Sequence, residues 1–306
     1  MIRTAATVRE PQARPQEFHV VRATGAAGSG PFVPPRFSEQ LVLHFVKNML
    51  APTIEPPLLL LIQGPAGEGK TMQTLVTCAR LGIDLVILPG YALSGEQERE
   101  PVDVLRRAYL EGSAIRQVAK RSVMLLIEDL DTSIAAMLPD RRYSVNSQLL
   151  NGALMSLTQD PYHLGEIVTE RVPMLATGND LTSLYGPLMR HGRATIIDWV
   201  PTREDKVEVV RNLLRGCLAD EEIAGVERLV DHFSGGEVNL PVAFYEVLRN
   251  SIFDELILDV IRRTNGIHLP EVYRALESSR PTLTIEALIG LGERLRAAAP
   301  RRFLGV

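Results

Sequence analysis

Short apolar runs without polar alternation recur along the first two thirds of the chain, separated by longer segments with helical spacing. Such runs are typical of strands that are buried on both faces of a parallel sheet. They cover residues 58–62, 84–88, 123–127, 172–177 and 194–199. We therefore predict an α/β domain built on a parallel five-stranded sheet, with helices packed on its faces.

After residue 202 the pattern changes to one helix after another. Thr202 begins this region with a capping-box pattern, and helical spacing covers residues 203–216, 220–233, 241–263 and 282–298. An α/β domain followed by a smaller all-α lid domain is the predicted architecture. The predicted parts are a flexible N-terminal arm (1–35), the α/β domain (36–201), the lid (202–299) and a C-terminal tail (300–306).

The predicted arm is rich in Arg, Pro, Gly and Ala and has little periodicity, as is typical of flexible segments. Its four arginines also fit an organelle transit peptide. Glu10, Glu17 and the small number of hydroxyl residues argue against that alternative.

Composition narrows the class of protein. The chain has 306 residues, of which 45% are hydrophobic, and a net charge of −4, so it shows no basic excess for nucleic acid. No apolar run approaches the ~18 residues that a membrane span needs. Cys78 and Cys217 form neither a disulfide framework nor a metal-ligand cluster. We expect a cytoplasmic protein with no nucleic-acid or membrane partner.

Residues 64–71 match the phosphate-binding pattern G-x-x-x-x-G-K-[ST], between a predicted strand and a predicted helix. This context aims backbone N–H groups and the positive helix end at a phosphate. Lys70 can reach the outer phosphates, and the Thr71 hydroxyl can bind Mg²⁺. The predicted nucleotide-binding residues are Gly64, Pro65, Ala66, Gly67, Glu68, Gly69, Lys70, Thr71 and Met72.

Polar residues follow the third and fourth apolar runs, at the sheet edge where ligands bind in α/β proteins. Glu128 and Asp129 can hold magnesium together with Thr71, and can orient or deprotonate the attacking water. Which carboxylate has which role stays open. Asn179 can hold the lytic water near the γ-phosphate. Glu128, Asp129 and Asn179 are therefore candidate catalytic residues.

Five segments together are more specific than the phosphate-binding pattern. They are residues 67–73, 127–131, 143–155, 177–193 and 199–205. This combination resembles the green-type rubisco activase family of AAA+ ATPases, and the likeness runs from about residue 37 to residue 299.

The resemblance implies a role for each motif residue. Lys70 and Thr71 match Walker A, Glu128 and Asp129 match Walker B, Asn179 matches sensor 1, Arg190 and Arg193 match the catalytic arginine fingers, and Arg249 matches the nucleotide-binding sensor 2 arginine. It also implies ATP and Mg²⁺ as cofactors, and a homo-hexamer that engages a client protein at a central pore.

The sequence departs from the family pattern in some places and fits it in others. Glu128 stands where the family has Asn, and residues 132–142 replace a glycine-rich stretch where a second pore loop is expected. Residues 91–93 fit a first pore loop, although a buried turn aromatic is an equal alternative. The plant-type N-terminal region and a small-subunit-like C-terminal module are not found in the sequence. We therefore leave open whether the client is rubisco.

The function that we expect is an ATP-hydrolysing chaperone that loosens a client enzyme and releases inhibitory sugar phosphates. Rubisco is the leading client, and another enzyme complex is the alternative. A DNA-associated AAA+ ATPase is disfavoured by the acidic balance. A nucleotide-binding scaffold without turnover is disfavoured because it would not need the acidic pair, Asn179 and both arginines.

Overall fold

The computed structural model describes most of the chain. It covers residues 17–23, 25, 30–51, 53–94, 99–131, 145–181, 184, 186, 188, 190, 192–236, 239–264, 266–278 and 283–298. The predicted tail (300–306), the first part of the predicted arm (1–16) and the segment expected to form a second pore loop (132–142) lie outside these residues.

The strands of the described chain form one large sheet and one small hairpin. They are β1 (His19–Val21), β2 (Leu59–Gln63), β3 (Asp84–Pro89), β4 (Val123–Glu128), β5 (His163–Leu164), β6 (Ile167–Val168), β7 (Met174–Gly178) and β8 (Ala194–Asp198). The large sheet has the order β1-β3-β4-β7-β2-β8, and β5 pairs with β6 in the hairpin.

The five predicted strands are all present and run parallel to one another. A sixth strand, β1, adds to the outer edge antiparallel to β3, with His19 opposite Ile87. This strand falls within the segment predicted to be a flexible arm. Its three residues are too few to show a strand period, and pairing with β3 is what makes them a strand.

Helices cover both faces of the sheet and then form the lid. They are α1 (Pro35–Met49), α2 (Lys70–Leu81), α3 (Glu100–Ala119), α4 (Val145–Gln159), α5 (Arg203–Leu213), α6 (Val226–Ser234), α7 (Val242–Ser251), α8 (Asp254–Thr264), α9 (Leu269–Ser278) and α10 (Ile285–Ala298). Short 3₁₀ helices occupy Gly90–Leu93 and Asp220–Gly225.

Side chains alternate between the two faces of the sheet and divide the core into two layers. In β4, Leu125 and Ile127 pack with residues of α3 and α4, whereas Met124 and Leu126 pack with residues of α1 and α2. Because both faces are covered, the inner strands β2, β3, β4 and β7 are almost wholly apolar and buried, as predicted. The run at 194–199 forms the edge strand β8 instead, in which Thr195, Ile196 and Asp198 are exposed.

The lid has its own core, and its largest fully buried side chains are those of Phe233 and Tyr245. The predicted capping box at Thr202 is present, since its hydroxyl accepts a hydrogen bond from the Asp205 N–H at 3.2 Å. The single helix predicted over 241–263 is instead two helices, α7 and α8, which are separated at Ile252 and Phe253. Helix α9 was not predicted, although Leu269, Val272, Tyr273 and Leu276 have the i, i+3, i+4, i+7 spacing of a helix. None of its residues is buried in the structure.

Candidate nucleotide-binding site

The phosphate-binding loop connects β2 to α2 and depends on glycine at the positions where the backbone is most constrained. Gly64 has a φ of 150°, and a Cβ atom there would lie 2.1 Å from the carbonyl oxygen of Trp199. Gly67 has a φ of 76° and would place a Cβ 3.1 Å from the side chains of Pro241 and Ala243. A side chain at either position would be strained, so the loop can take this shape only with these glycines.

The loop forms one wall of a cavity of about 390 Å³. Asp129 and Asn179, at the ends of β4 and β7, line a second wall. The structure therefore brings together Lys70, Thr71, Asp129 and Asn179, which are far apart in the sequence. Ala66, Gly67, Gly69 and Met72 also line the cavity. Gly64, Pro65 and Glu68 belong to the loop but are not among its described lining residues.

The Lys70 ammonium group is held at the base of the loop. Its Nζ donates hydrogen bonds to the carbonyl oxygens of Gly64 at 2.7 Å and Pro65 at 2.9 Å. It also donates to Asn179 Oδ1 at 3.2 Å. The lysine that should reach the outer phosphates is thus already in contact with the predicted water-positioning residue.

Burial lowers the pKa of Lys70 from its ordinary value, and the negative charges of Asp129, Asp131 and Glu68 oppose this shift. A negatively charged phosphate would favour the charged form of the lysine in the same way. Lys70 is therefore the positive group that would contact such a ligand.

Thr177 connects the Walker A and Walker B segments, and no sequence motif identifies its role. Its buried hydroxyl lies 3.4 Å from the Thr71 hydroxyl and accepts a hydrogen bond from the Asp129 N–H at 3.2 Å. Asp129 has a φ of 45°, a left-handed conformation that is uncommon for residues other than glycine. Thr177 lies near the end of the buried apolar strand β7. That position is the one feature of the sequence that could have indicated its role.

Asp131 positions the end of β7. Its Oδ2 accepts hydrogen bonds from the N–H groups of Asn179 at 2.8 Å and Asp180 at 3.3 Å. Its Oδ1 is shielded from solvent and has no hydrogen-bond partner among the described residues. Asp131 thus holds the backbone of Asn179 and adds negative charge near Lys70.

Glu128 lies in a different groove, which is mainly apolar and has a volume of about 420 Å³. His19, Leu75 and Ile87 are among the residues that line this groove with it. Burial and the negative charge of Asp129 raise the pKa of Glu128, while His19 opposes the shift. Of the two predicted carboxylates, Asp129 faces the nucleotide cavity, and the predicted role of Glu128 stays a prediction.

The three predicted arginines are not among the described residues that line the cavity. Arg190 is exposed, Arg193 is partly buried, and the Arg193 N–H donates to the Arg190 carbonyl at 3.1 Å. Arg249 is exposed on α7, three residues after Glu246, which does line the cavity. Residues three apart share a helix face, so Arg249 lies on the same side of α7 as Glu246, and its predicted role stays a prediction.

Apolar residues that no sequence motif identified close the far side of the cavity. Phe32 comes from the segment before α1, Val209 from α5, and Val242 and Ala243 from the start of α7. The Phe32 N–H donates to Asn212 Oδ1 at 2.9 Å, which fixes this segment against the lid. An apolar wall with few polar groups suits a nucleobase.

Two comparisons place this geometry in a class of proteins. Residues 60–202 match the ATPase family associated with various cellular activities (AAA). The fold is similar to the crystal structure of the FIGL-1 AAA domain in complex with ADP, with a TM-score of 0.61 and 17% identity. That similarity covers 95% of this chain and 91% of that domain.

Several relatives of the chain are named ribulose bisphosphate carboxylase/oxygenase activase. The protein of Anabaena sp. is 32% identical over 84% of this chain and 64% of its own length. The chloroplastic protein of Zea mays is 33% identical over 88% of this chain and 63% of its own length. The protein of Nostoc sp. is 31% identical over 87% of this chain and 67% of its own length. The chain belongs to the rubisco activase family of AAA ATPases, and it spans about 63–67% of the length of these relatives.

Within the described part of the chain, none of the helices combines the length and the apolar character that a membrane span requires.

Proposed function

We propose that this protein hydrolyses ATP with Mg²⁺ and uses the turnover to remodel a client enzyme, with inhibited rubisco as the leading client. The observation that carries this proposal is the convergence of Lys70, Thr71, Asp129 and Asn179 on one cavity. Three loops at one sheet edge contribute these residues, as phosphoryl transfer requires. The relatives named above support rubisco as the client.

Each of the converging residues has a distinct role in the proposal. The Thr71 hydroxyl and the Asp129 carboxylate are hard oxygen donors of the kind that magnesium prefers. Thr177 contacts both residues, through the Thr71 hydroxyl and the Asp129 N–H. The metal, when bound, would offset the negative charge of the phosphates. Lys70 would exchange its loop carbonyl acceptors for phosphate oxygens, and Asn179 would orient the attacking water.

A homo-hexamer is part of the proposal. Arg190 and Arg193 lie outside the set of residues that line their own cavity, which supports action in the site of a neighbouring subunit. The Arg190→Ala and Arg193→Ala variants should bind ATP normally and lose at least ~100-fold in turnover. Arg215→Ala, an exposed arginine in the lid, is the matched control.

Mixing experiments test whether the arginines act between subunits. A mixture of an arginine variant with Lys70→Ala should recover part of the turnover, because some interfaces then pair an intact loop with an intact arginine. Full activity of both single arginine variants would remove the finger assignment.

The client is tested by combining steady-state ATPase activity with recovery of inhibitor-locked green-type rubisco. Recovery that requires ATP, fails with Lys70→Ala and persists with the exposed control Lys47→Ala would support the rubisco assignment. Hydrolysis without recovery would favour the second candidate, another enzyme complex. Two observations favour keeping this second candidate open. Glu128 stands where the family has Asn, and the chain spans only part of the length of its relatives.

We place the protein in the cytosol. The two cysteines are free and buried, which fits a reducing compartment.

A further inference from the structure

Glu68 belongs to the phosphate-binding loop, but its side chain contacts the lid. Its carboxylate side chain is only 5% exposed, and its Oε1 lies 3.0 Å from the Nζ of Lys206 on α5. Its Oε2 accepts a hydrogen bond at 3.2 Å from the N–H of Val242, the first residue of α7. The side chain therefore contacts two lid helices, and Glu68 is not among the described residues that line the nucleotide cavity.

Lys206 is equally enclosed, with 4% of its side chain exposed. Besides Glu68, its Nζ donates to Asn239 Oδ1 at 2.8 Å and to the Leu240 carbonyl at 3.0 Å. The ammonium group thus makes one ion pair and two hydrogen bonds. Breaking a buried pair of this kind leaves one charge without compensation, which is costly.

Backbone contacts join the same two parts. The Ala243 N–H, at the second residue of α7, donates to the Gly67 carbonyl at 2.9 Å. The Glu68 carbonyl accepts from Trp199 Nε1 and from Gln73 Nε2, both at 3.1 Å. The loop backbone just before Lys70 is thus held by the lid, by the strand that leads to the lid and by α2.

The start of α7 also faces the nucleotide, because Val242, Ala243 and Glu246 line the cavity. A tilt of this helix would therefore move the cavity wall and pull on Gly67 and Glu68 together. The loop and the lid cannot move independently while these contacts are made.

We infer that the Glu68–Lys206 pair, with the Val242 N–H, is a coupling device that ties the phosphate-binding loop to the orientation of the lid. Lys206 is a positioning residue in this arrangement, since it acts on the nucleotide through Glu68. Nucleotide binding at the loop then orders the start of α7, and a loosened lid weakens nucleotide binding. The inference rests on the proposed nucleotide site and is independent of the client.

A double-mutant cycle tests the coupling with Lys206→Met, Glu68→Gln and the double variant, all in the full chain. Lys206→Met keeps the length of the side chain and removes its charge, leaving the Glu68 carboxylate unpaired. The affinity for a fluorescent ADP analogue should fall at least about tenfold in this variant. The double variant should recover most of the affinity, because no buried charge is left alone. Lys47→Met, at an exposed lysine, should bind as the wild type does.

Hydrogen exchange separates coupling from a purely structural role. In the wild type, ADP should slow exchange of the amides of residues 242–246, and Lys206→Met should abolish this effect even at saturating ADP. A structural role would lower the melting temperature and leave both the affinity and the ADP-dependent protection unchanged. If Lys206→Met fails to fold, the same measurement is made on Glu68→Gln alone. We expect this variant to lose the ADP-dependent protection of the amides of residues 242–246.

The inference is overturned if the single variants bind ADP within about twofold of wild type, or if their effects simply add in the double variant. ADP binding needs neither hydrolysis nor rubisco. A failed rubisco assay with a positive cycle would therefore reject only the client, whereas a wild type that binds no ADP would reject the site itself.

Discussion

Glu68 and Asp84 are both buried carboxylates that pair with cations, but they lie at opposite ends of the parallel strands. Glu68 follows β2 at the carboxyl edge, and its partner Lys206 is as enclosed as it is. Asp84 begins β3 at the amino edge, and its partners Arg22 and Arg121 have side chains that are 52% and 43% exposed. One pair is sealed between two domains, and the other is open to solvent on one side.

The partners of Asp84 fasten the sixth strand to the sheet. Arg121 donates to both carboxylate oxygens at 2.6 and 2.7 Å, and Arg22 and the Ala23 N–H, which follow β1, donate at 2.7 and 2.9 Å. The hydrogen bond from Arg121 holds the pKa of Asp84 well below its usual range. Burial opposes this shift, and the hydrogen bonds from Ala23 and Arg22 add to it. The pair at the carboxyl edge is the one that we infer to couple the loop to the lid, whereas the pairs at the amino edge attach β1 to the sheet.

The largest effect expected at the carboxyl edge comes from Lys70→Ala. The variant removes the charge that faces the phosphates, and ATP affinity should fall by at least ~100-fold because several charge-assisted hydrogen bonds are lost. Calorimetric titration with ATP measures this loss. Unchanged affinity would contradict the assignment of the loop, and Lys47→Ala should titrate as the wild type does.

At the amino edge, Asp84→Ala should destabilise the fold and spare the nucleotide site. It removes four hydrogen bonds and leaves two arginines without their acceptor, so we expect a loss of about 3 kcal/mol in the free energy of unfolding. Urea denaturation measures the loss, with Glu39→Ala at an exposed position of α1 as control. The ATP affinity of the folded variant should stay within about twofold of wild type, since the two edges are separate. A large loss of affinity would contradict the separate roles of the two edges.

The same pair predicts how stability responds to acid. Because the pKa of Asp84 is lowered by folding, its contribution is fully present above the unfolded pKa, near ~4. It is lost as the pH falls below that value and the carboxylate takes up a proton. The acid side of the stability profile of Asp84→Ala should therefore be flatter than that of the wild type.

A smaller effect is expected from His44, which packs from α1 against the amino end of β7. Its Nε2 lies 3.1 Å from the Met174 carbonyl. Burial lowers the pKa of His44 to about 4, with the Met174 carbonyl opposing the shift. Between the unfolded pKa of about 6.5 and this value, the unfolded state binds a proton that the folded state does not, so stability falls as the pH falls.

The difference should reach about 2 kcal/mol at pH 5. Denaturant titrations from pH 7.5 to pH 5 should show this slope in the wild type and a flatter one in His44→Gln. His268→Gln, at a histidine exposed on the lid, should keep the wild-type slope. Equal slopes in all three proteins would contradict the proposed burial cost.

Sequence patterns predicted those parts of the site that depend on near neighbours in the chain. The loop at residues 64–71 carries its glycines, lysine and threonine together, and the buried runs before and after it define the strand and helix that shape it. The capping box at Thr202 is equally local. In these cases the residues that determine the structure lie within about one turn or one strand of each other.

Contacts between distant segments were decided by the tertiary structure alone. The hydrogen bond between Glu68 and Val242 spans 174 residues of sequence, and nothing in the loop motif indicates that its variable acidic position faces a lid helix. The opposite placements of Glu128 and Asp129 likewise depend on strand alternation and on the positive φ of Asp129, which residue types alone do not specify.

In this chain, the sequence pattern predicts the five parallel strands, most of the lid helices and the phosphate-binding loop, because local periodicity and turn chemistry encode strands, helices and glycine loops. The packing of distant segments sets which carboxylate faces the nucleotide cavity, how Thr177 links Thr71 to Asp129, and how Lys206 contacts the loop residue Glu68. These outcomes depend on which distant surfaces pack together, and packing is set by the whole core and not by any single segment.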